Sequence, residues 1–344
     1  MTLRGRATRG AQRRGTILRI AVAALAGVLA LGGCGGKRTD AGDSEGSSGS
    51  AKGGRLTIAT GNTTGVYYQL GGGLARLIDQ NLKGYKATAS ETGASVQNIQ
   101  GVVGGRYDIA FSLADTANDA VEGRGAFSSP QPVEALTRLY PNYTHVLVRS
   151  GTGIDSVADM KGKRVSTGSP NSGTEVIAHR LLEAAGLDPA KDIKAQRLGL
   201  PETQDGMKDG TIDAMFWSGG LPTGGITDLT TSMRGKVKFL DLSSQLPALQ
   251  EEYGSIYESG SIPAKSYAQP ADVATIVVPN VLVAKKGFDQ KLAGQLVKLI
   301  FDKRADLEKV NPAAGDISLE NAKKTNPIPL NPGAVKALDK LGAK

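Results

Sequence analysis

Apolar residues along this chain fall into short strand-like runs that alternate with segments of helical spacing. Residues 56–59 are typical of a strand, and a polar stretch at 60–65 follows them. Apolar residues then recur at the spacing of one helical face, at Tyr67, Leu70, Leu74, Leu77 and Ile78. This first unit is therefore predicted to be a strand, a Gly/Thr/Asn loop and a helix.

A second unit of the same kind lies about a hundred residues further along. Residues 163–165 suit a short buried strand, and 166–173 form a polar loop. Ser172 and Glu175 have the spacing of a capping box, which predicts Ser172 as the N-cap of a helix. The apolar face of that helix consists of Val176, Ile177, Leu181, Leu182 and Ala185, with Gly186 as its stop.

The rest of the chain continues this alternation. Ser95 is a predicted N-cap, and the buried stripe behind it consists of Val96, Ile99, Val102 and Val103. Further strands are predicted at 86–89, 107–111, 144–149, 212–217 and 273–283, the last broken by Pro279. Helices are predicted near 202–208 and 290–309, and a Pro-rich tail ends the chain.

Alternating strands and helices predict an α/β fold with mostly parallel sheets. Residues 55–344 are long enough for two lobes, each with its own core. The strand at 144–149 is interpreted as the crossing into the second lobe, and 273–283 as the return. Lobe 1 is thus predicted at 55–145 and 278–344, and lobe 2 at 146–277.

Three polar loops follow predicted strands of this fold, at 60–65, 112–115 and 166–173. In open α/β sheets, ligands bind beyond the carboxyl ends of the strands. The first turn of a helix also leaves N–H groups free and carries the positive end of the helix dipole, so a small anion can bind there. Ser172 could instead only cap its helix. The repeated loop favours two loops that face each other across a polar cleft.

Residues 1–33 are predicted to be a lipoprotein signal peptide. They contain six Arg and no acid, and their apolar run at 20–31 is too short to span a bilayer comfortably. Leu31-Gly32-Gly33-Cys34 resembles the lipobox of bacterial lipoproteins, which implies cleavage before Cys34 and lipidation of its thiol. An ordinary secretory leader with an incidental Cys is the alternative. Arg13-Arg14 also leaves twin-arginine export open beside the general secretory route.

Residues 34–54 are predicted to be the lipidated Cys34 and a flexible tether. Residues 35–54 hold seven Gly and four Ser, with no aromatic residue and no aliphatic one larger than Ala. Such a segment cannot bury enough apolar surface to fold. It would let a globular body move over the outer face of the cytoplasmic membrane.

Composition narrows the class of partner. The formal net charge of +8 falls to +2 without the six Arg of the leader, so nothing in the mature chain favours nucleic acid. Cys34 is the only Cys, so no disulfide is expected. No His/Cys cluster has the spacing of a zinc site, and neither metal nor cofactor is predicted.

The order of motifs resembles the TAXI group of extracytoplasmic solute receptors, which serve TRAP transporters. The motifs are T-G-N-T-T-G-V-Y-Y at 60–68, E-T-G-A-S-V-Q-N at 91–98, D-I-A-F-S-L-A-D at 108–115, D-M-K-G-K-R-V-S-T-G at 159–168, N-S-G-T at 171–174 and D-A-M-F-W-S-G-G-L-P at 213–222. The resemblance implies a type II periplasmic-binding-protein fold with ligand between two lobes. It also implies a cargo of small carboxylates or amino acids such as glutamate.

The resemblance and the predicted loops together predict which residues bind the ligand. Ser169, Trp217 and Ser218 come from the second loop and a strand end, although Trp217 could equally be a core aromatic. The residues that match the family motifs are Gly61, Asn62, Thr63, Thr64, Tyr67, Ser95, Asn98, Asp115, Asn171, Ser172, Gly173 and Thr174.

Two positions depart from the pattern of the resembled family. Leu113 stands where Gln is frequent, and Gln97 stands where Glu is frequent. One polar contact and one charge are therefore missing, and the family's ligand does not transfer directly. No Arg or Lys falls inside the matched loops, so a carboxylate would be held by N–H and hydroxyl groups rather than by an arginine fork.

An enzyme is the main alternative class, and the sequence gives it little support. No G-x-S-x-G elbow occurs, and Thr174 stands where a P-loop needs Lys. His145 lies in a predicted strand and His179 in a predicted helix, so both are expected to be structural. Asp108 could be imagined to pair with Asp115, but capping or solvation at a strand start is favoured for it.

The sequence therefore predicts a monomeric, lipid-anchored receptor that closes on a small anionic or zwitterionic solute. Its predicted partners are the membrane subunits of a TRAP-type transporter and, through the lipid, the membrane. A receptor for an ABC importer and a ligand-sensing lipoprotein are alternatives with the same fold. A purely structural lipoprotein would have no reason to carry two facing polar loops.

Overall fold

A computed structural model describes residues 54–344, which hold ten strands and ten α-helices. The strands are β1 (Arg55–Ala59), β2 (Lys86–Ser90), β3 (Ile109–Leu113), β4 (Val133–Arg149), β5 (Arg164–Ser166), β6 (Lys194–Gln196), β7 (Ala214–Gly219), β8 (Val237–Phe239), β9 (Glu258–Ile262) and β10 (Val273–Lys285). The helices are α1 (Val66–Asn81), α2 (Ser95–Val103), α3 (Ala114–Glu122), α4 (Gly173–Ala184), α5 (Leu200–Asp209), α6 (Gly224–Ser232), α7 (Leu246–Tyr253), α8 (Gln290–Asp302), α9 (Arg304–Glu308) and α10 (Pro332–Lys340).

The sheet consists of two halves with matching topology. Its strand order is β2-β1-β3-β10-β4-β7-β5-β6, with β9 on β10 and β8 on β4. In the first half, β1 lies between β2 and β3, with both neighbours parallel, and β10 then adds antiparallel to β3. In the second half, β5 lies between β6 and β7 in the same way, and β4 adds antiparallel to β7. Each half with its helices forms one lobe of a two-lobed molecule.

Two long strands, β4 and β10, connect the lobes and pair with each other. Strand β4 pairs with β10 up to Tyr143 and with β7 from Tyr143 onward. Strand β10 pairs with β9 up to Val277 and with β3 from Asn280 onward. Both strands thus change partners at the same level. The predicted lobe boundaries, after residues 145 and 277, fall inside these two strands and stay a prediction.

Pro279 does not break β10, contrary to the prediction from sequence. It lies opposite Pro141 of β4, and the pairing register shifts directly after it. Proline is tolerated in a strand where a bulge removes the need for its missing N–H group. Strand β4 is likewise far longer than the predicted 144–149, because its first half pairs with β10.

The C-terminal region is more ordered than the predicted tail. The single helix predicted at 290–309 is divided into α8 and α9 at Lys303. The chain after it ends in α10, whose N-cap Asn331 accepts hydrogen bonds from Gly333 and Ala334. Helix α10 packs on α8 because Gly333 leaves no side chain there: a Cβ would lie 1.8 Å from the carbonyl oxygen of Gln290.

No helix within residues 54–344 is long and apolar enough to cross a membrane. The predicted signal peptide, Cys34 and all but the last residue of the predicted tether lie outside the described residues. Their roles stay predictions.

Candidate functional site

A cavity of about 460 Å³, including its mouth, lies between the two lobes beside the crossing strands. Its lining residues are Gly61, Asn62, Gly65, Val66, Tyr67, Gly93, Ala94, Ser95, Leu113, Tyr140, Asn142, Ser169, Ser172, Gly173, Thr174, Trp217, Ser218 and Gly219.

The N-termini of three helices, α1, α2 and α4, meet at this cavity. Helix α1 begins after Gly65 and α2 after Ala94, and neither N-cap residue has a side-chain cap. Helix α4 begins after Ser172, whose hydroxyl accepts a hydrogen bond from Glu175 N–H. The first N–H groups of a helix have no intrahelical partner and carry the positive end of its dipole.

No charged side chain lines the cavity within the described residues. Its polar groups are backbone N–H groups, hydroxyls and the amides of Asn62 and Asn142. Neither a carboxylate nor a guanidinium therefore touches the cavity at the three helix ends, and Glu175 in the first turn of α4 is paired with Arg197. Such a site suits a small ligand of low negative charge.

The predicted N-cap Ser172 is confirmed, but the capping box is altered. The Ser172 Oγ lies 2.9 Å from Glu175 N, as the motif requires. The Glu175 carboxylate reaches Asn171 N at 2.9 Å instead of the N-cap N–H, and it pairs with Arg197. This ion pair keeps the Glu175 charge outside the cavity.

The predicted site residues divide into two groups. Ten line the cavity: Gly61, Asn62, Tyr67, Ser95, Ser169, Ser172, Gly173, Thr174, Trp217 and Ser218. Five do not: Thr63, Thr64, Asn98, Asp115 and Asn171.

Asn98 is a structural residue instead of a ligand contact. It is fully buried, and its amide donates to the carbonyl oxygens of Thr60 (2.7 Å) and Phe111 (2.8 Å). Its Oδ1 accepts from the Thr92 hydroxyl at 2.6 Å. Asn98 thereby ties the loop after β1 to strand β3, and no polar atom is left for a solute.

Asp115 is also directed away from the cavity. It lies in the first turn of α3, where its carboxylate accepts from the Tyr257 hydroxyl (2.7 Å) and lies 3.5 Å from Arg180. Asp119, one turn further along, lies 2.5 Å from the same Arg180. The prediction of Asp115 as a ligand contact fails because a buried carboxylate needs a cation, and Arg180 of α4 supplies it.

The loop residues Thr63, Thr64 and Asn171 do not reach the cavity either. Thr63 is exposed to solvent, and Asn171 lies exposed at a φ of 60°, a left-handed conformation that Asn tolerates. The Asn171 carbonyl accepts a hydrogen bond from Gln97 N at 3.0 Å, which joins the two lobes at the rim.

Ser95 lines the cavity, although it is not the N-cap predicted from sequence. The N-cap is Ala94, at a φ of 82°, and Ser95 is the first helical residue. The Ser95 hydroxyl accepts from Leu113 N at 3.0 Å. The side chain of Leu113 faces the cavity, so this wall is apolar where the resembled family has an amide.

Several contacts join the lobes across the cleft. The Asn62 amide of lobe 1 lies 3.2 Å from Ser169 Oγ, and its Oδ1 accepts from Leu200 N (3.1 Å), the first N–H group of α5. Trp217 packs against Gly65, where a Cβ would lie 3.2 Å from its ring. The lobes are therefore in close contact around the cavity.

The sequence analysis missed the residues that the crossing strands contribute, chiefly Tyr140 and Asn142. Asn142 accepts from Ser218 Oγ at 2.5 Å and donates to Asn280 Oδ1 at 3.1 Å. Asn280 also accepts from the Tyr67 hydroxyl at 2.5 Å. The signal in the sequence is weak, because Asn142 lies two residues before the strand predicted at 144–149. Its amide is buried in the structure and therefore needs partners nearby.

The titratable groups near the cavity are neutral. Burial raises the pKa of Tyr67 and of Tyr140 above the usual value of a tyrosine.

His145 lies outside the cavity lining, fully buried, between the Tyr143 carbonyl and the Tyr267 hydroxyl, both at 2.9 Å. Asp108 accepts from Thr57 N (2.7 Å) at the start of its strand, as its structural interpretation predicts.

Three comparisons place this fold among known proteins. The NMT1-like family model matches residues 58–342. A binding protein component of an ABC phosphonate transporter from Pseudomonas aeruginosa has a TM-score of 0.54 at 14% identity, over 83% of this chain and 95% of that one. MatC from Rhodopseudomonas palustris, solved with bound malate, has a TM-score of 0.51 at 14% identity, over 83% and 97%. The predicted two-lobed periplasmic-binding-protein fold is thereby confirmed.

The predicted membership of the TAXI group is wrong, and so is the TRAP transporter as partner. The family model that matches is the NMT1-like one, over residues 58–342. The motifs quoted above mark loops at the ends of strands, which receptors of one fold share for geometric reasons. They identified the architecture correctly and the transporter class incorrectly.

Proposed function

This chain belongs to the NMT1-like family, and from that premise we propose that it is a solute receptor that delivers a small anion to an ABC-type importer. The family and fold support solute binding as the class of function. The anionic character of the solute and the identity of the transporter are the parts that experiment has to test.

The observation that carries the proposal is the meeting of three helix N-termini at a cavity without charged side chains. Free N–H groups at helix ends, together with the hydroxyls of Ser172 and Thr174, match the acceptor oxygens of a carboxylate or sulfonate. Two neighbours of the same fold are named for phosphonate transport and for bound malate, and both of these are anions.

The cavity favours an anion over a zwitterion. A buried ammonium group needs an acidic partner, and no Asp or Glu lines the cavity in the described residues. Asp115 is paired with Arg180, and Glu175 with Arg197. We therefore rank small anions without an ammonium group above glutamate-like amino acids; the sequence analysis expected either small carboxylates or such amino acids.

Delivery to a membrane partner follows from closure of the lobes. A solute that binds the N-termini of α1 and α2 in one lobe and of α4 in the other shifts the population toward the closed form. A transporter can recognise the outer surface of that form. Export, the lipid anchor at Cys34, action as a monomer and the absence of catalysis belong to this proposal. None of the proteins named above is an enzyme by its description.

The test is calorimetric titration of the full-length protein after refolding has removed any co-purified ligand. The panel covers monocarboxylates, dicarboxylates, sulfonates, glutamate, sugars and inorganic anions. Binding confined to organic anions is expected. Preference for sugars would contradict the anionic assignment, and preference for glutamate would contradict the ranking of anions without an ammonium group above amino acids.

Substituting Ser172→Ala together with Thr174→Val tests where the anion binds. We expect at least about a tenfold loss of affinity for the best anion, since two hydrogen bonds to a charged group are removed. Ser156→Ala is the matched control. Ser156 caps the short turn at 157–160 by the same motif but lies outside the cavity, so it should leave affinity unchanged. Unchanged affinity in the double variant would exclude α4 as the anion site.

A further inference from the structure

The hydroxyl of Tyr140 is a feature of the cleft that anion binding at the helix ends does not explain. Tyr140 lies on β4, is 0% exposed and lines the cavity. Its hydroxyl has no hydrogen-bond partner among residues 54–344. Buried polar groups in native proteins are almost always paired, because an unpaired one costs free energy.

Tyr140 is distinguished from the other unpaired groups by its position. Among buried side-chain polar atoms without a partner in residues 54–344, its hydroxyl alone belongs to a residue that lines the cavity. The others belong to Thr64, Thr144, Thr167, Gln245 and Gln295.

The polar groups around Tyr140 are already engaged with one another. The Tyr67 hydroxyl donates to Asn280 Oδ1, and Asn280 Nδ2 donates to the main-chain oxygen of Tyr140 at 3.0 Å. Asn142 bonds to Ser218 and to Asn280. The ring packs closely against Gly220, where a Cβ would lie 2.9 Å from its Cε2.

We propose that the Tyr140 hydroxyl donates a hydrogen bond to a second oxygen of the ligand, beyond its anionic head. The ligand class is then a small carboxylate or sulfonate that also carries a hydroxyl or keto oxygen. This inference rests on the proposed function, which places the anionic head at the helix N-termini. A solute without the second oxygen would leave the phenol unpaired once the lobes close and water is excluded, and it is therefore rejected.

The experiment compares probes that differ by one oxygen. The pairs are propionate with lactate and pyruvate, succinate with malate, and ethanesulfonate with 2-hydroxyethanesulfonate. Each is titrated calorimetrically into the full-length protein. Binding of the oxygen-bearing member of at least one pair is expected to be about tenfold tighter, the usual penalty for leaving a buried donor unpaired.

The variant Tyr140→Phe should reduce that preference to about twofold or less. The reduction should come from weaker binding of the probe that carries the second oxygen. Tyr68→Phe is the matched control: Tyr68 is half-buried on α1, outside the cavity lining, and its removal should keep the preference.

Thermal unfolding without ligand gives a readout that does not depend on the probes. The melting temperature of Tyr140→Phe should be no lower than that of the wild type, because the folded protein loses no hydrogen bond. Tyr67→Phe breaks the bond to Asn280 and should lower the melting temperature by about 3 °C. A lower melting temperature for Tyr140→Phe would reveal a structural partner for the hydroxyl and overturn the inference.

The outcomes separate this inference from the function on which it rests. If the wild type binds the anions without any preference for the second oxygen, the inference is wrong and the anion receptor stands. The same holds if Tyr140→Phe keeps the full preference. If the wild type binds no anion of the panel, the proposed function fails and the inference fails with it.

Discussion

His145 shows how burial alone sets the chemistry of a single residue. Its imidazole is fully enclosed, with Tyr143 O and the Tyr267 hydroxyl as partners, and no carboxylate neighbours it among its described contacts. Burial lowers its pKa from the usual 6.5 to about 4. The ring is therefore neutral at physiological pH, and it supports the second lobe instead of taking part in proton transfer.

This shift predicts a loss of stability in mild acid. Between the folded pKa of about 4 and the unfolded value of 6.5, the unfolded state binds the additional proton, so stability decreases as pH falls through that window. From pH 7.5 to pH 5 we expect His145 to cost about 2 kcal/mol. Urea unfolding of the wild type and of His145→Gln at both pH values measures the difference. Equal pH dependence in the two proteins would contradict the shift.

At the scale of elements, the cleft depends on how closely loops of the two lobes approach. A Cβ on Gly93, before α2, would lie 2.6 Å from the carbonyl oxygen of Pro170, before α4. A Cβ on Gly173 would lie 2.6 Å from the Leu113 side chain and 2.7 Å from Ser95 Oγ. Glycine at these positions lets the N-terminus of α4 reach the wall formed by β3 and α2.

The variant Gly93→Ala should therefore hold the lobes apart. The new Cβ would clash with the backbone of the opposite loop, which cannot rotate away as a side chain would. Gly93 is not among the residues with positive φ, so the substitution itself adds no backbone strain. We expect at least about a tenfold weaker affinity for the anion with little change in unfolding free energy. Calorimetry and urea unfolding together measure this. Gly72→Ala, on α1 with nothing within 4 Å of its Cβ, is the control and should leave binding intact.

At the scale of the whole molecule, a buried ionic cluster joins the lobes on the side of the crossing strands. Arg180 of α4 lies 2.5 Å from Asp119 and 3.5 Å from Asp115, both of α3. Its guanidinium also lies 3.8 Å from the ring centre of Tyr253 and donates to Tyr257 at 2.9 Å. This cluster fixes α3 against α4.

Replacing Arg180 with Met should lower the unfolding free energy by about 3 to 5 kcal/mol, because two buried carboxylates lose their cation. Urea unfolding at pH 7 is the measurement. The variant that combines Arg180→Met with Asp115→Asn and Asp119→Asn should recover part of the loss, since no buried charge remains. A single variant within about 0.5 kcal/mol of the wild type would show that the pairing contributes nothing to stability.

Helices, the loops before them and one N-cap could be predicted from the sequence alone. Helices α1 and α4, the loops before them and the N-cap Ser172 all follow from spacing and hydrogen-bonding chemistry within a few residues. Alternating strands and helices predicted an α/β fold, and chain length allowed two lobes, while the periplasmic-binding-protein fold was implied by the family resemblance. Most of the residues drawn from those loops line the cavity for the same reason: strand ends of one sheet meet at one edge.

Which polar residues line the cavity depends on the tertiary fold. Asn98 has the same amide chemistry as Asn62 and Asn142 of the cavity, and Asp115 follows the strand that ends at Leu113, but distant partners, Thr60 and Arg180, engage them. Tyr140 and Asn142 precede the strand predicted at 144–149, and no local pattern connects them with the loops; pairing of β4 with β10 brings them to the cavity. The positions of these four side chains depend on contacts between residues far apart in sequence. The local spacing of residues does not predict such contacts.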